Sequence, residues 1–131
     1  MSTAMGKFNK KYTEVVKIIE KNFGDLKAGE KMFFSYPRSI ANYIAKIPYG
    51  TEKSVKLMRH ELAENANADN TCPLTCGIFL RIAIEASIEQ SDGAKPYLPF
   101  WRVIDRNSSL KKILPISEKY LTELRTSEGL Q

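Results

Sequence analysis

A helix that reaches Ile47-Pro48-Tyr49-Gly50 has to stop there. Pro48 has no N–H to donate and Gly50 accepts a positive φ, so the four residues make a turn. Apolar residues recur at helical spacing on both sides of it. Ile40, Tyr43 or Ile44, and Ile47 give the buried side of a helix before the turn. After it, Ser54 suits the N-cap of a helix ending near Glu64, with Val55, Met58 and Leu62 as core positions. A polar stretch over 65–70 follows. Thr71 is then the capping candidate for a fourth helix, and Pro73 fits its first turn. That helix is expected to run to about Gln90, with Leu74, Ile78, Ile82 and Ala86 as its buried line. Two helices joined by a short turn are compatible with a helix-turn-helix.

The flanking segments read as follows. Phe8, Tyr12, Val15, Ile19 and Phe23 recur at steps of three or four and predict one helix over 7–23, stopped by Gly24. Lys7, Lys10, Lys11, Lys17 and Lys21 lie mostly off that stripe, where they face either phosphate or water. Lys31 to Phe34 is a short apolar stretch, either a strand or a lead-in, and Ser35 is placed to cap the next helix ahead of Pro37. Residues 91–97 and 105–109 read as loops. Leu98 to Ile104 reads as an extended segment or a tight buried turn. Ser117 caps a last helix with Tyr120, Leu121 and Leu124 inward and Gly129 beyond its end. With no repeat, low-complexity segment or linker, the chain is expected to form one mainly α domain. Its parts are a helical extension over 7–30, a core over 33–112 and a C-terminal helix over 113–131.

A hydrophobic content of 43% in 131 residues suits one core. The net charge of +5 favours an anionic partner. No apolar run reaches the roughly 18–20 residues that span a bilayer, and the start lacks an apolar signal core. The expectation is therefore a cytoplasmic protein without a membrane partner. Catalytic motifs are missing. There is no glycine-rich phosphate loop, and His60, the one histidine, sits mid-helix and reads as a surface residue. The pairs Glu61/Glu64 and Glu85/Glu89 read as solvated faces. Cys72 and Cys76 lie one helical turn apart, with no second cysteine pair to complete a metal site. No catalytic residue, metal or cofactor is expected.

Two segments resemble the C-terminal domain of the alkylguanine-DNA alkyltransferases. Ile47-Pro48-Tyr49-Gly50-Thr51, with Ser54 following, is similar to the family's Ile-Pro-Tyr-Gly before its helix-turn-helix. Pro99-Phe100-Trp101-Arg102-Val103-Ile104 is similar to its Pro-Cys-His-Arg-Val signature, and Asn107-Ser108-Ser109-Leu110 falls where members carry a glycine-rich stretch. Ala68 to Phe79, with Cys72-Pro73-Leu74-Thr75, resembles an uncharacterised bacterial branch. The likeness covers about 33–112. It implies a winged-helix-like, helix-turn-helix fold with an added N-terminal helix.

The departures matter as much as the likeness. Phe100 stands where the family has its cysteine, and Trp101 where it has its histidine; the family's chemistry needs a thiolate, and a phenyl ring supplies none. Val55 replaces the family's tyrosine, and Arg81 lies a turn beyond the arginine that fills the gap left by a flipped base. The alkyltransferase-like branch, which lacks the cysteine and still binds alkylated DNA, is the nearer comparison. The resemblance implies a non-enzymatic binder of double-stranded DNA that recognises altered or alkylated bases. Its DNA contacts would be Thr51, Lys53, Ser54, Lys56 and Arg59 around the first helix of the pair, and Thr71, Thr75, Cys76 and Gly77 at the start of the second. Its pocket would comprise Tyr49, Phe100, Trp101 and Arg102. Each has a plainer alternative. Phe100 and Trp101 fill the core, Arg102 braces its own turn, Gly77 permits tight helix packing, and the cations are solvated. Cys76 is either a displaced nucleophile or merely small and buried. The alternative function is a protein-interaction or small-ligand module that kept the fold and lost DNA.

Overall fold

The computed structural model describes residues 3–105 and 107–131. Its first helix, α1 (Ala4–Asn9), is capped by Thr3, whose Oγ1 accepts from Gly6 N–H at 2.9 Å. Strand β1 (Val15–Ile18) runs antiparallel to β2 (Lys31–Phe34), with Val15 opposite Phe34 and Ile18 opposite Lys31. Then come α2 (Pro37–Ala45), α3 (Val55–Asn65), the two-residue β3 (Asn70–Thr71) and α4 (Pro73–Ser91). β3 pairs in parallel with β2, giving the sheet order β1-β2-β3. A 3-10 turn at Phe100–Arg102, a second at Ser109–Lys112 and α5 (Glu118–Thr126) complete the described chain.

The architecture is mixed: the described residues form five α-helices, as a helical domain would, and add a small three-stranded sheet. The helix expected over 7–23 is replaced by the short α1, a link and β1. The doublets Val15-Val16 and Ile18-Ile19 are β-branched, which suits a pleated strand. Gly24 (φ 57°) and Gly29 (φ 92°) let the chain double back so that β1 meets β2. The supposed stripe is split: Phe8 enters the main core, Ile19 joins a small cluster with Leu26, Met32 and Cys72, and Val15 and Phe23 are exposed.

Helix ends follow capping chemistry where the sequence offers it. Ser54 Oγ accepts from Leu57 N–H and Ser117 Oγ from Tyr120 N–H, both at 3.0 Å. Two expected caps move by one residue. Tyr36 rather than Ser35 precedes α2, bracketed by Ser39, whose hydroxyl donates to Tyr36 O and accepts from Tyr36 N–H. Cys72 rather than Thr71 precedes α4, because Thr71 is drawn into β3.

The core lies where α1 and α2 pack on α4, with Ile40, Ile44, Met58, Leu80, Ile84, Phe100, Ile104 and Leu121 fully enclosed. The buried side of α4 is Cys76, Leu80, Ala83, Ile84, Ala86 and Ser87. Of the expected line only Ala86 is buried. Leu74 and Ile78 are 62% and 49% exposed. The helix is apolar nearly all round, so its periodicity could not select a face. Among the described residues no helix is long and apolar enough to cross a membrane.

Candidate functional site

The two motif segments, about fifty residues apart in sequence, meet in space. Arg102 Nη1 donates to Ile47 O at 2.6 Å, and Lys53 N–H donates to Arg102 O at 2.9 Å. The C-terminus seals this junction. Glu128 accepts from Trp101 Nε1 (2.7 Å), from Arg102 Nε and Nη2 (2.8 and 2.9 Å) and from Gly50 N–H (2.9 Å). Burial opposes the charge on Glu128. The donors from Arg102, Gly50 and Trp101 outweigh it and hold the carboxyl down at about 2. Arg125 adds bonds to Trp101 O (2.7 Å), Gln131 O and Glu52. Tyr49 Oη donates to Ser127 O at 2.6 Å.

Phe100 and Trp101 are consequently core residues, 0% and 2% exposed, with their rings edge to face at 5.5 Å between centroids. They do not line an open pocket. A ring of this size contributes about 1.5–3 kcal/mol by burial. Arg102 braces the turn, and Tyr49, though exposed, is tied to the C-terminus.

The helix-pair residues divide in the same way. Arg59 is a correction: it is buried, not a phosphate contact. Its guanidinium grips Asp25 at 2.7 and 3.0 Å and Thr71 O at 2.8 and 3.1 Å, and this hydrogen-bonded pairing lowers the Asp25 pKa. Thr71 is buried too, its hydroxyl donating to Arg59 O at 2.5 Å. Cys76 is 0% exposed and burial pushes its thiol up to about 11, so it is neither a DNA contact nor an activated nucleophile. Lys53 is half-buried, paired with Glu61 at 3.0 Å and lying over the Tyr43 ring. Thr51, Ser54 and Lys56 are exposed. Thr75 is half-buried, and its hydroxyl has no partner among the described residues.

Gly77 is the informative position. A Cβ built on it meets nothing within 4 Å, so internal packing does not require glycine there. It opens instead onto a cleft of about 380 Å³, between Ser54 and Val55 on one side and Val103, Asp105 and Asn107 to Leu110 on the other. That volume falls within the range of small-molecule sites. This is the surface where the front of α3, the exposed flank of α4 and the segment after the 3-10 turn converge. The serines and Asn107 give it hydrogen-bonding groups at the rim, and Val55, Leu80 and Val103 give it an apolar floor.

Sequence reasoning named Ser54 and Gly77 as DNA contacts, not as walls of one cleft, and missed two features. Glu128 has no sequence signal, because an acidic residue near a C-terminus ordinarily stays in water. Asp25 as the partner of Arg59 depends on a hairpin that the helical reading had hidden. The loop over 105–109 was legible in the sequence, but its place at the cleft was not. Among the described residues no cluster of His, Cys, Asp or Glu could hold a metal ion. No family model, no curated protein and no solved structure matches the chain.

Proposed function

We propose that the chain is a non-enzymatic DNA-binding protein of the alkyltransferase-like kind, with α3 and α4 as a winged-helix-type helix-turn-helix. In this reading the cleft beside Gly77 receives an altered or alkylated base. The observation that carries it is Gly77 itself. A glycine inside a helix costs about 1 kcal/mol relative to alanine, and nothing within the fold requires this one. Its use is to let something outside approach the helix backbone closely. The likeness of the 47–51 and 99–104 segments to the alkyltransferases supports a nucleobase as that visitor, with Asn107 and the serines offering polar contacts to its edge. No alkyl transfer accompanies binding. Phe100 and Trp101 occupy the positions of the reactive pair, and the thiol of Cys76 is protonated at neutral pH.

A second reading, a protein-interaction module, is favoured by one feature of the same face. Lys53 is paired with Glu61 and Arg81 with Glu85, while Leu74 and Ile78 of α4 stand exposed. Such a surface is less cationic than a phosphate-binding face commonly is.

The test is an anisotropy titration with a duplex carrying one alkylated guanine and its unmodified twin, at two salt concentrations. Tighter, salt-sensitive binding to the modified duplex is expected. Equal affinity for both removes the base-recognition role, and no binding at low salt leaves the interaction module.

A further inference from the structure

The cations of the helix pair are largely neutralised by acidic partners, but those of the N-terminal arm are not. Residues 3–12 contain Lys7, Lys10 and Lys11 and no acidic residue. All three lysines are exposed, and none forms an ion pair among the described residues. Arg38 extends the cluster. It stacks over the Phe8 ring and donates to Asn9 Oδ1 at 3.0 Å, and it too has no acidic partner among the described residues. Glu89 of α4 accepts from Ala4 N–H, and Glu14 follows the arm in sequence.

The arm is fixed relative to α4. Ala4 binds Glu89 near the end of that helix, whereas Tyr12 packs edge-on against Phe79, 5.0 Å between centroids, next to the exposed Ile78. The arm thus runs antiparallel along α4, and its last lysines arrive beside the exposed front half of the helix. Tyr12 steadies that end, donating to Lys7 O at 3.2 Å with Lys10 Nζ 5.9 Å from its ring.

We propose that Lys7, Lys10 and Lys11 form a phosphate-binding arm that clamps the nucleic-acid backbone alongside α4, on a surface separate from the cleft; this rests on the DNA-binding reading above. A nucleic acid fits better than a membrane surface. The arm turns Phe8 into the core, and its exposed side chains are Thr3, Lys7, Asn9, Lys10 and Lys11, whereas an interfacial helix needs an apolar face toward the lipid.

The experiment measures the salt dependence of binding to unmodified duplex for the full chain, for Lys7→Gln/Lys10→Gln/Lys11→Gln, and for a control of equal charge change, Lys17→Gln/Lys21→Gln/Lys27→Gln, on the β1 hairpin. Each phosphate contact contributes about 0.9 to the slope of log K against log salt. The arm variant is expected to lose about 2.7 in slope while keeping whatever preference the wild type has for the alkylated duplex, and the control is expected to lose little. An unchanged slope in the arm variant, or an equal loss in both variants, overturns the arm while DNA binding stands. Wild-type protein that binds vesicles containing anionic lipid but no duplex overturns both the arm's nucleic-acid role and the function proposed above.

Discussion

The segment Phe100–Arg102 and the cleft beside Gly77 are neighbours of opposite character. In the first, every group is used: Phe100 fills the core, the Trp101 indole and the Arg102 guanidinium are held by Glu128, and Arg102 also holds the Ile47 carbonyl. In the second, a Cβ on the helix at Gly77 would meet nothing, and the cleft beside it is lined by Ser54, Asp105 and Asn107 to Leu110. The large aromatic residues at positions 100 and 101 are packed into the interior. The walls of the adjoining cavity come from other elements, α3, α4 and the segment after the 3-10 turn. The two regions should respond differently to substitution, one in stability and the other in binding.

The largest expected effect is at the sealed region. Glu128→Ala leaves Arg102 and Trp101 without their acceptor and should cost about 3–5 kcal/mol, as breaking a buried pair does. Urea unfolding measures it, and a cost below about 1 kcal/mol would mean that the seal is not structural. The same group sets an acid limit. Its carboxyl is held at about 2 when folded and lies near about 4.3 when unfolded. Its stabilising contribution is complete above the unfolded value and is lost as pH falls from there through about 2. Wild-type stability should therefore drop across that window, and the Glu128→Ala variant should show a smaller drop.

Trp101→Phe removes one hydrogen bond to a charged group and should cost about 1.5–3 kcal/mol by urea unfolding, with little change in ligand binding. A large binding loss without a stability loss would instead place Trp101 in the site. The smallest effect is expected for Leu74→Ser/Ile78→Ser on the exposed face of α4, within about 0.5 kcal/mol per position in thermal unfolding. Lost DNA affinity in that variant would bring this face into the interface. Lost association with a protein partner, with DNA binding intact, would favour the interaction module.

Much of the helix framework was legible because its signals are local. Ser54 and Ser117 announce their helices, and Pro48 with Gly50 announces the turn between α2 and α3. The N-terminal region was misread because Phe8, Tyr12, Val15, Ile19 and Phe23 fall at helical spacing by coincidence, and only pairing with β2 reveals the β-branched doublets as a strand. The exposed face of α4 was misread because Leu74, Ile78 and Ile82 are as apolar as the residues that are buried. At the site, Arg102 as a brace was foreseen. Arg59 and Thr71 were expected to reach DNA, and Cys76 was left open between a contact and a buried residue, because distance along a helix fixes an angle, not which side the rest of the chain covers. Glu128 and Asp25 act through contacts distant in sequence and left no local trace.

The most direct test of the open cleft is Gly77→Ala, with thermal stability and affinity for the alkyl-guanine duplex measured on the same preparation. The added methyl meets no neighbour, so the helix should gain up to about 1 kcal/mol while affinity for the modified duplex falls several-fold or more. A variant that is more stable and binds as the wild type does would show that nothing approaches α4 at Gly77 and would contradict the assignment of the cleft as a binding site.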